Sequence, residues 1–296
     1  MILALTGATG FVGGHVLDQA LAAGHQVRAL TRRPQAERMG VTWIAGDLAS
    51  SGRFAQGADA VVHVAGVVNA PDRAGFAAGN VDGTRRMLAA ARDAGVRRFV
   101  HVSSLAAREP GLSAYGWSKA EAEKRVEDSD LDWTIVRPPA VFGPGDLEML
   151  DMFRLARRHV VPLPPRGRLS VIAVEDLAAL LLALAATSGP RTIYEADDGT
   201  GGWTHDGFAR AIGRAVGKRV LPLPLPGLLL SAAAAIDAAL RGPGAKLTPD
   251  RVAYFRHPDW TIDPARRPPA ALWQPVQPTG DALARTAAWY RTQGLL

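Results

Sequence analysis

Short apolar runs alternate with helix-length amphipathic stretches over the first two-thirds of the chain. Residues 2–6, 26–31, 41–45, 60–65, 97–103 and 133–137 read as strands; residues 11–23, 80–94 and 114–128 read as helices. Gly24, Gly40, Gly57 and Gly95 stand where these elements must stop or turn. Strands spaced by helices build βαβ units, so the pattern predicts an α/β fold with a parallel sheet and right-handed crossovers.

Past Arg137 the texture changes. Pro138, Pro139, Gly143, Pro144 and Gly145 break the pattern. A helix over 147–159, a proline-rich loop over 160–168 and returning strands over 171–174 and 192–196, around a helix at 175–186, are expected next. From Trp203 onward strand signal is scarce and proline and tryptophan are frequent. This predicts a smaller, mostly helical lobe over the carboxyl edge of the sheet, where open α/β sheets bind ligands. The longest apolar stretch, 225–240, is interrupted by Pro226, Ser231 and Asp237. It falls short of the ~20 residues of a membrane-spanning helix and is expected to be a buried or lid-like amphipathic helix.

Composition narrows the function classes. The chain has 296 residues, 48% of them hydrophobic and 21% charged, enough to bury a core and too apolar for disorder. There is no cysteine, which excludes disulfides, thiolate–zinc sites and a cysteine nucleophile, and fits a reducing, cytoplasmic setting. Met1 runs directly into Ile2-Leu3-Ala4-Leu5 without a basic segment, so no secretory signal is expected. The net charge is +6, carried by 30 Arg and 4 Lys. Arg85-Arg86, Arg97-Arg98, Arg157-Arg158 and Arg266-Arg267 are scattered and not interleaved with aromatics, so neither a nucleic acid nor a membrane partner is expected. The histidines show no metal-ligand spacing, and no metal is expected.

Thr6-Gly7-Ala8-Thr9-Gly10-Phe11-Val12-Gly13 follows the first strand and opens the first helix. Glycines here allow a tight turn and close approach of a pyrophosphate, and the helix start offers free N–H groups. Tyr115 and Lys119 lie four apart on a helix and so share a face. A phenol ordinarily ionises near pH ~10. A neighbouring ammonium would lower that value and let Tyr115 exchange a proton near neutral pH. Ser103-Ser104 ends the preceding strand.

These motifs resemble the short-chain dehydrogenases/reductases, and more closely their extended branch, the NAD-dependent epimerase/dehydratase family. Gly46-Asp47-Leu48 resembles the adenine-contacting segment. Val62-His63-Val64-Ala65-Gly66 resembles the segment beside the cofactor. Asn80-Val81-Asp82-Gly83-Thr84 resembles a helix-opening element, with Asn80 either joining the proton relay or capping its helix. Arg137-Pro138-Pro139-Ala140-Val141-Phe142-Gly143-Pro144-Gly145 resembles the segment passing the nicotinamide into the substrate lobe. The likeness is close over residues 1–185 and loose to the end, where Thr286-Ala287-Ala288-Trp289-Tyr290 resembles a C-terminal family helix.

The resemblance implies a Rossmann-type, doubly wound parallel sheet over residues 1–142 with 169–198 returning to it. Residues 143–168 and 199–296 would form the substrate lobe. It implies Tyr115 as general acid/base, Ser104 polarising the reacting oxygen and Lys119 holding the nicotinamide ribose. Cofactor contacts would come from Thr6, Gly7, Thr9, Gly10, Phe11, Val12, Gly13, Asp47, Leu48, His63, Ala65, Gly66, Ser103, Tyr115, Lys119, Pro138 and Val141. A homodimer packed through the 80–94 and 114–128 helices is also implied. Charge then chooses between cofactors. The second strand ends Thr31-Arg32-Arg33-Pro34 with no carboxylate to repel a 2′-phosphate, so Arg32 and Arg33 favour NADP(H) over NAD(H).

The leading expectation is hydride transfer between NADP(H) and a carbonyl or secondary alcohol of an apolar small molecule, with residues 222–230 available to line its pocket. Two alternatives stand. A nucleotide-sugar epimerase or dehydratase would need a diphosphate site, for which Arg154, Arg157 and Arg210 are available, and usually an acidic residue after the second strand. A non-catalytic dinucleotide-binding regulator or respiratory-complex-type subunit would usually lack the Tyr/Lys pair. His63 and His101 are read as strand residues, His101 as a hydrogen-bonded core histidine.

Overall fold

The computed structural model describes residues 1–50, 53–241 and 249–296. In chain order the elements begin β1 (Ile2–Thr6), α1 (Phe11–Ala22), β2 (Gln26–Thr31), β3 (Val41–Ala45), β4 (Ala60–His63), α2 (Arg73–Phe76), α3 (Gly83–Asp93), β5 (Arg98–Val102), α4 (Ala114–Glu127) and β6 (Asp132–Arg137). They continue with β7 (Ala140–Phe142), α5 (Leu150–Arg157), β8 (Val160–Leu163), β9 (Arg168–Leu169), β10 (Val171–Ala173), α6 (Val174–Ala186) and β11 (Thr192–Glu195). The last are β12 (Trp203–Thr204), α7 (His205–Ala215), β13 (Leu221–Pro224), α8 (Gly227–Arg241), α9 (Pro249–Arg256), β14 (Asp259–Trp260) and α10 (Thr279–Thr292).

The chain divides into two compact units. The first comprises Met1–Pro138, Glu175–Ala196 and Pro264–Gln274. It holds a seven-stranded sheet of order β11-β6-β5-β4-β1-β2-β3, in which every neighbouring pair is parallel. Strand order reverses at β1, which pairs with β2 on one side and β4 on the other, and the carboxyl ends beside such a reversal form a ligand crevice. Fully buried Ala4, Val61, Phe99 and Ile135 of four strands pack with Met87 of α3 and Val126 of α4. β4 ends at His63, two residues earlier than the pattern suggests, which frees Ala65 and Gly66 to turn at the crevice.

The second unit comprises Pro139–Val174, Asp197–Asp263 and Pro275–Leu296. Its core gathers Phe142, Phe153, Phe208 and Tyr290 around α5, α7 and α10. The β7–β10 pair belongs to this unit, and 264–274 returns to the first. One correction concerns 160–168. Val160–Leu163 is no loop but a strand, paired in parallel with β13. Prolines hid it. Leu221 and Leu225 donate to His159 O and Leu163 O at 2.8 and 2.9 Å. Pro222 and Pro224 alternate with these donors, so the N–H each lacks would point away from the partner strand.

A second correction concerns 225–240. The stretch is helical from Gly227 in α8, but of its two expected forms the buried one is wrong: Leu228, Leu229, Ile236 and Leu240 are exposed. No helix among the described residues is long and apolar enough to cross a membrane.

Candidate active site and cofactor cradle

The loop after β1 is built by close backbone approach. Gly7 has φ +78°, and a Cβ there would lie 2.9 Å from Ala65 N. A Cβ on Gly13 would lie 2.0 Å from Gly7 O, so only glycine lets α1 pass. Gly10 N donates to Gly7 O at 2.9 Å, closing the turn. Gly10 is the N-cap of α1; no side chain caps that helix and its first turn holds no carboxylate. The helix therefore presents uncapped N–H groups and its positive dipole end, which fits a pyrophosphate. Thr9 and Gly10 are exposed; Phe11 and Val12 are half-buried beside them.

Behind the loop sits a buried polar row. Register aligns Thr6, His63 and His101 across β1, β4 and β5. Thr6 Oγ1 accepts from Ala65 N at 3.1 Å and contacts His63 Nδ1 at 2.7 Å. His63 Nε2 contacts Thr84 Oγ1 at 3.2 Å. Both ring nitrogens of His63 are thus engaged inside the protein, and its side chain ties β1 to α3. Burial pushes its pKa down to about 3, with the Lys119 charge adding to the effect. His101 corrects the expectation of a hydrogen-bonded core histidine: neither ring nitrogen has a hydrogen-bond partner. Burial, then the charges of His63 and Lys119, hold its pKa well below the ordinary value.

Arg32 and Arg33 follow β2 with exposed side chains, on a turn where Thr31 Oγ1 donates to Arg33 O at 2.8 Å. Asp47 Oδ1 accepts from Ala49 N, Ser50 N and Ser50 Oγ at 2.8, 2.8 and 2.9 Å. The Ser50 hydroxyl, then these amides, hold the Asp47 carboxyl below its usual range, with a lesser contribution from Arg32. Leu48 packs on Gly83 at the start of α3; a Cβ there would lie 2.8 Å from Leu48 Cδ1.

Asn80 is not a helix cap. It is buried in a π-helical turn, Ala77–Asp82, which joins α2 to α3. Its Oδ1 accepts from Val67 N at 2.7 Å, and its Nδ2 donates to Val67 O at 2.9 Å and Ser118 Oγ at 2.8 Å. A Cβ on Gly66 would lie 2.9 Å from Asn80 Oδ1 and 3.4 Å from Lys119 Nζ. The segment after β4 is thereby fastened to α4.

Ser113 caps α4 through Gly116 N at 2.9 Å, which sets Tyr115 in the first turn and Lys119 one turn on. Ser104 caps the short 3-10 turn Leu105–Arg108, and its hydroxyl is near enough to Tyr115 to act on the phenol. Ser104 Oγ accepts from Ala106 N at 3.2 Å. The Tyr115 phenol is raised above its ordinary value by burial, which the nearby Ser104 hydroxyl only partly offsets. Lys119, expected to lower it, is not among the causes. Lys119 is buried and donates to Val102 O at 2.9 Å. Burial brings its pKa down to about 8, against the pull of Glu123.

Sequence reasoning missed the buried network beneath these groups. Ser103 Oγ donates to Glu123 Oε1 at 2.5 Å, so this hydroxyl is engaged with α4. Arg137 Nε and Nη2 donate to Glu123 Oε1 and Oε2 at 2.8 and 2.6 Å. Arg137 and Arg108 both reach buried Glu195, at 3.5 and 3.3 Å. The available signal was Glu123 itself, one turn beyond Lys119 on the buried face of α4. Pro138 accepts from Leu105 N at 3.0 Å through its carbonyl, next to Ser104. Val141, in β7, registers with Ile172 in the second unit. Among the described residues no cluster of three or more His, Asp or Glu is arranged to hold a metal.

Residues 7–187 match the NAD(P)H-binding family. The chain is 38% identical to the ceramide reductase of Caulobacter vibrioides, over 100% of this chain and 96% of that one. It is 34% identical to the 2-alkyl-3-oxoalkanoate reductase of Stenotrophomonas maltophilia, over 53% and 56% of the two chains. Among solved structures it superposes on MoeE5 in complex with UDP-glucose and NAD with a TM-score of 0.74, at 21% identity, over 99% of both chains. That likeness adds the fold. The glycine cradle, the ordered Ser/Tyr/Lys set and these relatives make the chain a member of the NAD(P)H-binding family, an NAD(P)-dependent enzyme of the extended short-chain dehydrogenase/reductase, or epimerase/dehydratase, type.

Proposed function

We propose that this protein reduces a ketone on a long-chain, apolar molecule with NADPH. The observation that carries the reading is the placement of the set: Ser104 two residues past β5, Tyr115 in the first turn of α4, and Lys119 buried one turn along the same helix. The full-length likeness to a ceramide reductase, and the partial likeness to a reductase of 2-alkyl-3-oxoalkanoates, support the ketone and its apolar chain.

Bound NADPH supplies the hydride. Ser104 Oγ donates a hydrogen bond to the carbonyl oxygen and so polarises it. Tyr115 Oη gives its proton to that oxygen as negative charge develops there, and the product is the secondary alcohol. Lys119 would hold the nicotinamide ribose. Asn80 and Ser118 keep the Val67 segment and α4 in register, which fixes the distance between cofactor and acid. Arg32 and Arg33 would fork onto the 2′-phosphate of NADPH; no carboxylate ends β2 to oppose it. The second unit supplies the substrate lobe, and α3 with α4 a homodimer contact.

The test is a panel of 3-oxo long-chain amides, 3-oxoalkanoates and nucleotide sugars, with NADPH and NADH, read by cofactor absorbance. NADPH consumption with the long-chain ketones, lost in Tyr115→Phe, is the expected result. Turnover of a nucleotide sugar without net cofactor consumption would overturn the reading, and tighter binding of NADH than NADPH would overturn the cofactor choice.

A further inference from the structure

α8 is an amphipathic helix turned inside out. Its described solvent-facing positions are 228, 229, 231, 232, 235, 236, 239 and 240, an i, i+4, i+8, i+12 stripe and its flank. They carry Leu, Leu, Ser, Ala, Ala, Ile, Ala and Leu. Leu228 is 85% exposed, Ile236 60% and Leu240 80%. Ser231, also exposed, spends its hydroxyl on its own helix, donating to Gly227 O at 3.0 Å. The small side, at Ala234, is the buried one. A helix of a soluble surface carries polar residues on this face; a contiguous apolar stripe marks a contact.

The strand ribbon leading into α8 repeats the feature. β8 and β13 pair Val160 with Leu221 and Pro162 with Leu223, and all four are exposed. Two residues after β13, α8 begins. Charge is arranged to match. Exposed Arg157 and Arg158 lead into β8, and exposed Lys218 and Arg219 lead into β13. From Arg157 to Arg168 and from Arg214 to Ile236 there is no carboxylate.

We infer that α8 and the β8–β13 ribbon dock on the surface of an anionic phospholipid bilayer, with the leucines in the interface and the arginines and lysine on the headgroups. Fifteen residues of helix span about 22 Å, less than the ~30 Å hydrocarbon core, so α8 lies in the interface rather than across it. A two-fold contact with a second copy would set basic rim against basic rim, whereas an anionic surface neutralises it. The inference revises the expectation of no membrane partner, and it stands apart from the ketone-reduction reading because vesicle binding requires no turnover.

The test is co-sedimentation of the full chain with vesicles of phosphatidylcholine alone or mixed with phosphatidylglycerol. The mixed vesicles should bind the protein at low salt and the neutral ones far less. Ile236→Glu with Leu240→Glu should lower partition at least about tenfold while leaving the thermal melt unchanged, because both side chains are exposed. Lys218→Ser with Arg219→Ser should lower it about tenfold or more, at roughly fivefold per cation. No binding to the mixed vesicles, or binding equal in the variants, overturns the proposal. So does sedimentation velocity showing a dimer that Ile236→Glu with Leu240→Glu dissociates, in the absence of vesicle binding: the stripe would then be a self-contact.

Discussion

Two ion pairs on α4 have the same 2.6 Å separation and should differ severalfold in worth. Glu123 and Arg137 are 4% and 13% exposed, while Lys124, bonded to Glu121, is 61% exposed. Glu123→Gln keeps the side chain's shape and removes its charge. Its amide nitrogen would then face Arg137 Nη2, donor against donor, or face the Ser103 hydroxyl if flipped. Arg137 would retain only the 3.5 Å contact with Glu195 as an ionic partner. Breaking one side of a buried pair costs about 3–5 kcal/mol. Glu195 remains nearby, which places this loss at the low end, about 3 kcal/mol. Glu121→Gln removes an exposed pair worth ~0.5 kcal/mol or less. Urea unfolding followed by circular dichroism compares the two variants directly. A second readout follows from Lys119, whose ammonium Glu123 supports from one turn away. Without that charge the lysine loses its proton at lower pH, so the alkaline limb of kcat/KM moves toward acid in Glu123→Gln and stays in place in Glu121→Gln. Equal stability losses in the two variants would refute the argument that burial, not bond length, sets the value of these pairs.

Tyr115→Phe keeps the ring against Phe76 and removes the proton, so kcat should fall about 10²–10⁴-fold with NADPH affinity retained, checked by fluorescence titration. Gly13→Ala places a methyl 2.0 Å from Gly7 O, and dinucleotide binding should be lost even where circular dichroism shows a folded chain. His63 and His101 have folded pKa values below the ordinary histidine range, so the folded state binds fewer protons than the unfolded. Stability is therefore full above about pH 6.5 and falls as pH drops, by up to about 1.4 kcal/mol per pH unit for each ring. His101→Leu should remove one proton's share of that slope in denaturant titrations between pH 6.5 and pH 4.5; an unchanged slope would refute it. Asp146 is buried with Oδ2 unpartnered, and burial raises its pKa to about 6. A raised carboxyl pKa means stability is greatest below the ordinary value and declines as pH rises through about 6, so Asp146→Asn should stabilise the protein at pH 8 and not at pH 4.

How much of this was legible depended on whether a residue acts through its neighbours in sequence or in space. β1, β2, β3 and the Tyr115/Lys119 helix follow from local periodicity, and the glycine loop follows because its backbone approaches are made within eight residues. Of the two roles read for Asn80, the helix cap was wrong. A helix start and a π-turn look alike in sequence, and only Val67 and Ser118, brought in from other segments, separate them. The Ser103–Glu123–Arg137–Glu195 network joins two strands, the residue after a third and a helix, and no spacing records such a union. Val160–Leu163 was hidden by prolines because a two-stranded ribbon tolerates them on its outer side, and pattern reading weighs the residue without knowing which side faces out.

The electrostatics of the site favour one direction of chemistry. Burial raises the Tyr115 phenol, so in the protein by itself it holds its proton at neutral pH. Lys119, at about 8, is mostly charged there. A reduced nicotinamide is neutral and leaves that balance in place, so under the proposed function a ketone bound with NADPH would meet a hydroxyl able to donate. Alcohol oxidation needs the phenolate, and only the positive ring of the oxidised cofactor would offset the desolvation that opposes it. The protein is thus set as an acid before the cofactor binds and becomes a base only through the cofactor's charge. Its kcat for reduction should hold level from pH 6 to pH 7.5, while oxidation should climb with pH over the same interval. Parallel profiles in the two directions would mean that the phenol is not the group exchanging the proton.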